Sequence, residues 1–181
     1  LISENQSAFI PGRLISDNSI IAFECIHHIQ NLKPNSGAAC AYKLDLSKAY
    51  DRVDWDFLEQ ALTKWGFFAK WLTWIMACVK SVTHSVKFNG KLLEVFAPSR
   101  GLRQGDPLSP FLFLFVANAL SALISKSDDG GELRGVSICR GAPVISHLLF
   151  AEDTMLLFEA SGQQAGAVKG LLNTYTNATG Q

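Results

Sequence analysis

Residues 147–158, HLLFAEDTMLLF, set two adjacent carboxylates, Glu152 and Asp153, between two apolar runs. Burying apolar surface on both sides of two like charges is costly unless something cationic meets them. A third carboxylate, Asp45, stands inside a strand pattern, Lys43-Leu44-Asp45-Leu46, where packing gives it no reason to be. Carboxylates from two strands can converge on hard divalent cations, which take oxygen ligands and need few protein groups when phosphates supply the rest. Two such ions about 3.5–4 Å apart can serve an in-line displacement at phosphorus. Taken alone, an acidic pair at a hairpin tip is ordinary turn chemistry. Asp51, Asp54 and Asp56 also have a simpler account, because they lie at or near a helix start, where the macrodipole favours negative charge.

GLRQGDPLSP, residues 101–110, is a further stretch with chemical content. Asp106 before Pro107, or Ser109 before Pro110, reads as an N-cap followed by proline at the first helical position. Capping leaves Arg100, Arg103 and Gln104, set among Gly101 and Gly105, without a role. Glycines let the backbone approach a ligand closely, and the cations and the amide can meet phosphate or base edges. Two histidines carry less: His28 falls on an apolar helical face and reads as a core residue, and His147 has no partner visible in sequence.

The elements that must hold these residues can be read from spacing. Ile21, Cys25, His28, Ile29 and Leu32 share one face of a helix over 17–32, with Asp17 as its N-cap and Pro34-Asn35-Ser36-Gly37 ending it. Residues 38–46 read as a short buried strand. A helix capped by Asp54 buries Leu58, Ala61, Leu62 and Trp65, Gly66 breaks it, and a second amphipathic helix runs to about Val82. Asn89-Gly90 between alternating runs signals a hairpin. An apolar helix then runs to about Lys126, the acidic turn joins two strands over 144–158, and residues 163–179 form a last helix. This order predicts an α+β domain with a mainly antiparallel sheet backed by helices.

With 181 residues, 48% of them hydrophobic, the chain can bury one sizeable core. Its net charge of +0 neither requires nor excludes a polyanionic partner, since Lys43, Lys48, Arg52, Arg100 and Arg103 can still create local positive potential. Four scattered cysteines read as reduced thiols of an intracellular protein, in nucleus or cytoplasm rather than secreted. The longest apolar stretch, Phe111 to Ile124, reads as a buried helix and gives no reason to expect a membrane partner.

In this order, KLDLSKAYDRVDW (43–55), GLRQGDPLSP and the Ala151-Glu152-Asp153 turn resemble the A, B and C motifs of reverse transcriptases. SENQSAFIPGRLISDN (3–18) resembles the segment leading into the first motif. The resemblance is to the LINE-type, non-LTR retrotransposon enzymes, particularly their plant-like form, and it covers nearly the whole chain. It implies a polymerase palm, with a ferredoxin-like antiparallel sheet backed by helices and a small part of the fingers. Residues 1–181 would then be a partial reverse transcriptase domain without its thumb, partnered by the remaining fingers and thumb of a parent polyprotein. The implied activity is RNA-directed DNA polymerisation, in which a primer 3′-hydroxyl attacks a deoxynucleoside triphosphate on an RNA template with a DNA primer. By the same resemblance Asp45, Glu152 and Asp153 are catalytic ligands of two Mg²⁺ ions, with Mn²⁺ as a substitute. Tyr50 becomes the steric gate against a ribose 2′-hydroxyl. Gln104 and Gly105 lie against nucleotide and template, and Arg13 becomes a phosphate contact.

One position departs from the family pattern. The family's C motif ends in two aspartates, and Glu152 stands in place of the first. Glutamate keeps the charge but adds a methylene, and a displacement on the order of 1 Å in a catalytic arrangement costs roughly 10²-fold. The resemblance therefore implies an impaired enzyme, limited further by missing lobes whose phosphate contacts would supply most of the affinity for nucleic acid. The alternative is a catalytically inactive retroelement remnant, at most a nucleic-acid-binding module. An RNA-dependent RNA polymerase palm shares the acid geometry, but Tyr50 and the motif FIPGR argue against it.

Overall fold

A computed structural model describes residues 1–33 and 37–181. The chain runs α1 (Ile15–Gln30), β1 (Ala39–Leu44), α2 (Ala49–Arg52), α3 (Trp55–Lys64) and α4 (Ala69–Lys80). It continues through β2 (Lys87–Phe88), β3 (Lys91–Leu92), α5 (Ser109–Asp129), β4 (His147–Phe150), β5 (Asp153–Glu159) and α6 (Gly162–Thr179). β5 is the middle of an antiparallel three-stranded sheet, ordered β1-β5-β4, and β2 pairs with β3 in a separate hairpin. Mixed helix and antiparallel sheet is the architecture expected from the sequence.

Because β5 is central, its residues are buried on both faces. Leu156 and Phe158 point into the larger core with Leu58, Leu62, Phe113, Leu120 and Tyr175, from α3, α5 and α6. Leu157, from the opposite face, joins Cys25 of α1 and Leu148 of β4 in a smaller core. β1 is an edge strand, which is why Tyr42 and Lys43 are exposed although the apolar pattern suggested a buried strand. α5 is long and apolar enough, by length and composition alone, to cross a membrane. Here its Leu112, Phe113, Val116, Leu120 and Ile124 fill the middle of the larger core.

Local signals were read with mixed success. Asp54 caps α3 as expected, accepting from the Phe57 N–H at 2.8 Å. Asp17 does not cap α1: the helix starts two residues earlier at Ile15, so Asp17 lies in its first turn. Asp106 Oδ1 accepts from the Leu108 N–H at 2.8 Å and shapes the turn before α5, while Ser109 is already the first helical residue. The turn expected at 34–36 lies outside the described residues.

His147 opens β4 fully buried. Its Nε2 lies 3.0 Å from Asn5 Nδ2 and 2.6 Å from Ser121 Oγ, and its Nδ1 lies 3.1 Å from Ser146 Oγ. Burial pushes the ring down to about 4 from its ordinary 6.5. An unfolded chain therefore binds this proton more readily than the folded one as pH falls below 6.5. The stabilisation from the neutral ring is complete above that pH and is lost on acidification. Between pH 7 and pH 5, unfolding free energy is expected to drop by about 2 kcal/mol on this account, as read by urea denaturation. His147→Gln should flatten most of that slope, and an unchanged slope would assign it to other groups.

Candidate active site

The ladder between β1 and β5 ends at the pair Leu44↔Thr154. Asp45 is thus the first residue beyond the sheet and not a strand-interior residue, as the pattern had suggested. The chain then turns through Lys48, whose φ of 56° is left-handed, and enters α2, which carries Tyr50 and Asp51. Tyr50 stacks on Phe113 of α5 with ring centroids 4.8 Å apart. Burial, and then the nearby Glu152 carboxylate, push the Tyr50 phenol up from its ordinary value.

The glycine-rich loop is strapped to α2 by main-chain hydrogen bonds. Gly101 N–H donates to the Val53 carbonyl at 2.8 Å, and Leu102 N–H donates to the Tyr50 carbonyl at 2.8 Å. Trp55 Nε1 closes the contact by donating to the Gly101 carbonyl at 2.7 Å. Further along, the Gln104 side-chain amide donates to Asp51 Oδ1 at 3.1 Å. Asp51, assigned from sequence only to a helix start, also orients Gln104.

On the other side, β4 and β5 are joined by the two-residue turn Ala151-Glu152, with Phe150 paired to Asp153. Asp153 is thus the first residue of β5, while Glu152 belongs to the turn. Glu152 lines a cleft of about 580 Å³ together with Asp45, Lys48, Tyr50, Gln104, Gly105 and Asp106. Asp153 lines a different cleft, where its carboxylate lies 3.2 Å from Lys43 Nζ. Glu152 thus shares a cleft with Asp45, and Asp153 lies just beyond the last β1–β5 pair, Leu44↔Thr154, on the strand beside Asp45.

Asp45 and Glu152 take part in no ion pair among the described residues. Two carboxylates with no ion-pair partner among the described residues, in a cleft beside glycine-bearing backbone, are oxygen donors of the kind a hard divalent ion takes when phosphate and water supply the rest. No cluster of three or more metal-ligating side chains occurs among the described residues. Arg13 is outside this cleft. Its guanidinium donates to the carbonyls of Ser3, of Gln6 at 2.6 Å and of Ile2 at 3.4 Å, holding the N-terminal segment. Arg100 and Arg103 line an adjoining cleft of about 710 Å³, with Asp51, that shares Gln104 with the first.

Sequence reasoning missed Gln6. It is 1% exposed, and its side-chain oxygen accepts from the N–H groups of Ala151 and Ala8 at 2.9 and 3.0 Å. The available signal was a lone amide in SENQSAF beside residues that become buried, which spacing alone does not connect to a turn 145 residues away.

Comparison with known proteins identifies the family and the fold. The family model described as reverse transcriptase (RNA-dependent DNA polymerase) matches residues 1–179. The chain is 48% identical over 66 residues to an uncharacterised mitochondrial protein of Arabidopsis thaliana, covering 36% of this chain and 54% of that protein. It is 30% identical over 169 residues to the Pol polyprotein of a type-1 retrotransposable element R2 from Nasonia vitripennis, covering 91% of this chain and 15% of the polyprotein. Among solved structures, an apo telomerase of Candida tropicalis aligns with a TM-score of 0.63 at 14% identity, over 93% of this chain and 32% of that one. Telomerase of Candida albicans, solved with a fragment of telomeric RNA, gives 0.62 at 14% identity over 90% and 28%. These structures show a shared fold. The chain spans 54% of the Arabidopsis protein and 15% of the Nasonia polyprotein.

Proposed function

Since the chain belongs to the reverse transcriptase (RNA-dependent DNA polymerase) family, we propose that it is the palm, with part of the fingers, of a non-LTR retrotransposon enzyme that extends a DNA primer on an RNA template. The observation that carries this reading is that Asp45 and Glu152 line one cleft with Tyr50, Gln104 and Gly105. Asp45 and Glu152 would hold divalent ions, which reverse transcriptases use as a class, with Mg²⁺ the ion proposed here, and Asp153, whose Oδ1 meets Lys43, would complete the set. Bound divalent ions would favour ionisation of the attacking 3′-hydroxyl and neutralise charge developing at phosphorus.

The chain's own groups would do the rest. Tyr50, braced by Phe113, presents an aromatic surface in the cleft that would exclude a sugar bearing a 2′-hydroxyl. Gln104, oriented by Asp51, would lie against the nucleotide or the template base, with Gly105 allowing close approach. Lys48 is a cation in the same cleft, available to phosphate. RNA template, DNA primer and deoxynucleoside triphosphates are the partners this reading requires, together with the remaining fingers and thumb. The unpaired Cys25, Cys40, Cys78 and Cys139 support action inside the cell, in nucleus or cytoplasm.

Asp45→Asn is expected to lower primer extension on an RNA template by about 10²–10³-fold in the full-length polypeptide. Asp56→Asn, in the first turn of α3, should leave extension near the parent level. Equal extension by the Asp45 variant and its parent would sink the assignment. A second reading, a folded remnant that binds nucleic acid without chemistry, is favoured by Glu152 in the aspartate's place. It predicts no extension in either form while template binding persists.

A further inference from the structure

We propose that Gln6 is a positioning residue for Glu152. Its buried amide clamps the Ala151 peptide in the left-handed conformation that sends Glu152 into the Asp45 cleft and leaves Asp153 to Lys43.

Ala151 sits at φ 51°. A residue with a Cβ adopts that region at a cost of about 1–2 kcal/mol, so something must hold it there. Gln6 does so from both sides of one residue: Oε1 accepts from the Ala151 N–H at 2.9 Å, and Nε2 reaches the Ala151 carbonyl at 3.5 Å. The same Oε1 accepts from the Ala8 N–H at 3.0 Å, tying the turn to the N-terminal segment. A side-chain amide offers an acceptor and a donor, without charge, on one planar group. A carboxylate would keep the acceptor but bury a charge beside Glu152, and an apolar chain would leave the Ala151 and Ala8 N–H groups without this acceptor.

The clamp is itself anchored. Residues 5–7 lie alongside β4 in parallel register, with Leu149 N–H donating to the Asn5 carbonyl at 2.8 Å and Ser7 N–H to the Leu149 carbonyl at 3.1 Å. Asn18 Nδ2 bridges the carbonyls of Asn5 and Leu149 at 3.1 and 2.8 Å, and Arg13 grips the carbonyls of Ser3 and Gln6. Ala8 and Ala151 are buried together against Leu114 of α5. The segment before α1 is therefore a brace for the turn. Arg13 serves the site through Gln6 and has no need to touch a ligand.

The consequence for metal binding rests on the proposed function, whereas the clamp does not. Gln6→Met, made in the full-length polypeptide, is expected to raise hydrogen exchange about tenfold in peptides spanning the Ala151-Glu152 turn, leaving α3 and α6 unchanged. Mn²⁺ titration followed by electron paramagnetic resonance should show about tenfold weaker binding. Adding Ala151→Gly, which adopts positive φ without a clamp, should restore most of it. A turn whose exchange is unaltered by Gln6→Met would overturn the proposal, as would an Mn²⁺ affinity held at the parent value. A loss that Ala151→Gly does not restore would also overturn it. If exchange rises throughout the chain, the Ala151→Gly background decides: glycine needs no clamp at positive φ, so adding Gln6→Met to it should cost the turn less protection than Gln6→Met costs the parent, and an equal cost would overturn the proposal. If the parent shows no Mn²⁺ binding sensitive to Asp45→Asn, the metal assignment fails, and exchange at the turn alone decides for or against the clamp.

Discussion

Replacing Glu152 with aspartate is expected to raise primer extension in Mg²⁺ by about 10²-fold. The extra methylene of glutamate carries its carboxylate further from the turn by about one bond length, and the backbone cannot retreat to absorb it. Ala151 is held at φ 51° by Gln6 and packed against Leu114, and Phe150 pairs with Asp153 to close the hairpin. Adjustment must come from the glutamate side chain alone, in a cleft it shares with Asp45 and Tyr50. Mg²⁺ demands near-ideal octahedral geometry and tolerates such displacement poorly. In Mn²⁺, a more permissive ion, the gap between the two forms should narrow. The comparison is made in the full-length polypeptide on an RNA template. Equal extension by the two forms in Mg²⁺ would show that Glu152 is no handicap. Failure of both forms with Asp45 intact would favour the remnant reading.

Gly101→Ala should unfold the junction between α2 and the glycine-rich loop, destabilising the chain by about 3 kcal/mol. Gly101 has φ +93°, and an added Cβ would lie 2.7 Å from the Asp51 carbonyl oxygen and 3.1 Å from its Cα. Those are main-chain atoms that cannot swing aside. Relief would stretch the hydrogen bonds from Gly101 to Val53 and from Leu102 to Tyr50, and would push Asp51 away from Gln104. Gly105→Ala on the same loop is the control. It has φ +81° but open space around the new methyl, so it bears the backbone strain alone, about 1 kcal/mol. Urea unfolding of the two variants reads the difference. Equal losses would mean that the close approach of the loop to α2 does not stabilise the chain.

The partition of the chain into elements was legible because local chemistry decides it. Asn89-Gly90 forms the β2–β3 turn, Gly66 follows α3, and Asp54 caps α3 by accepting from the Phe57 N–H. The apolar spacing of α3 marked Leu58, Ala61, Leu62 and Trp65; the first three are buried and Trp65, at the C-cap, is partly so. α2 was not anticipated, since four residues are too few to show a helical period. Burial of β1 was overestimated for another reason: an apolar strand reads the same at an edge as in the middle of a sheet, and strand order is not local information.

The sequence by itself determined which carboxylates are candidates, which loop carries glycines beside cations, and which family the motifs resemble. Only the tertiary structure decided how those carboxylates are shared out. Glu152 and Asp153 are neighbours in sequence, yet Glu152 lines the cleft with Asp45 while Asp153 pairs with Lys43, because the turn ends between them and only Asp153 is held in the β ladder. Their separation depends on a buried amide at position 6, which meets the turn only when the N-terminal segment lies along β4. Contacts between residues far apart in the chain arise from the burial of many side chains at once. No short motif encodes that.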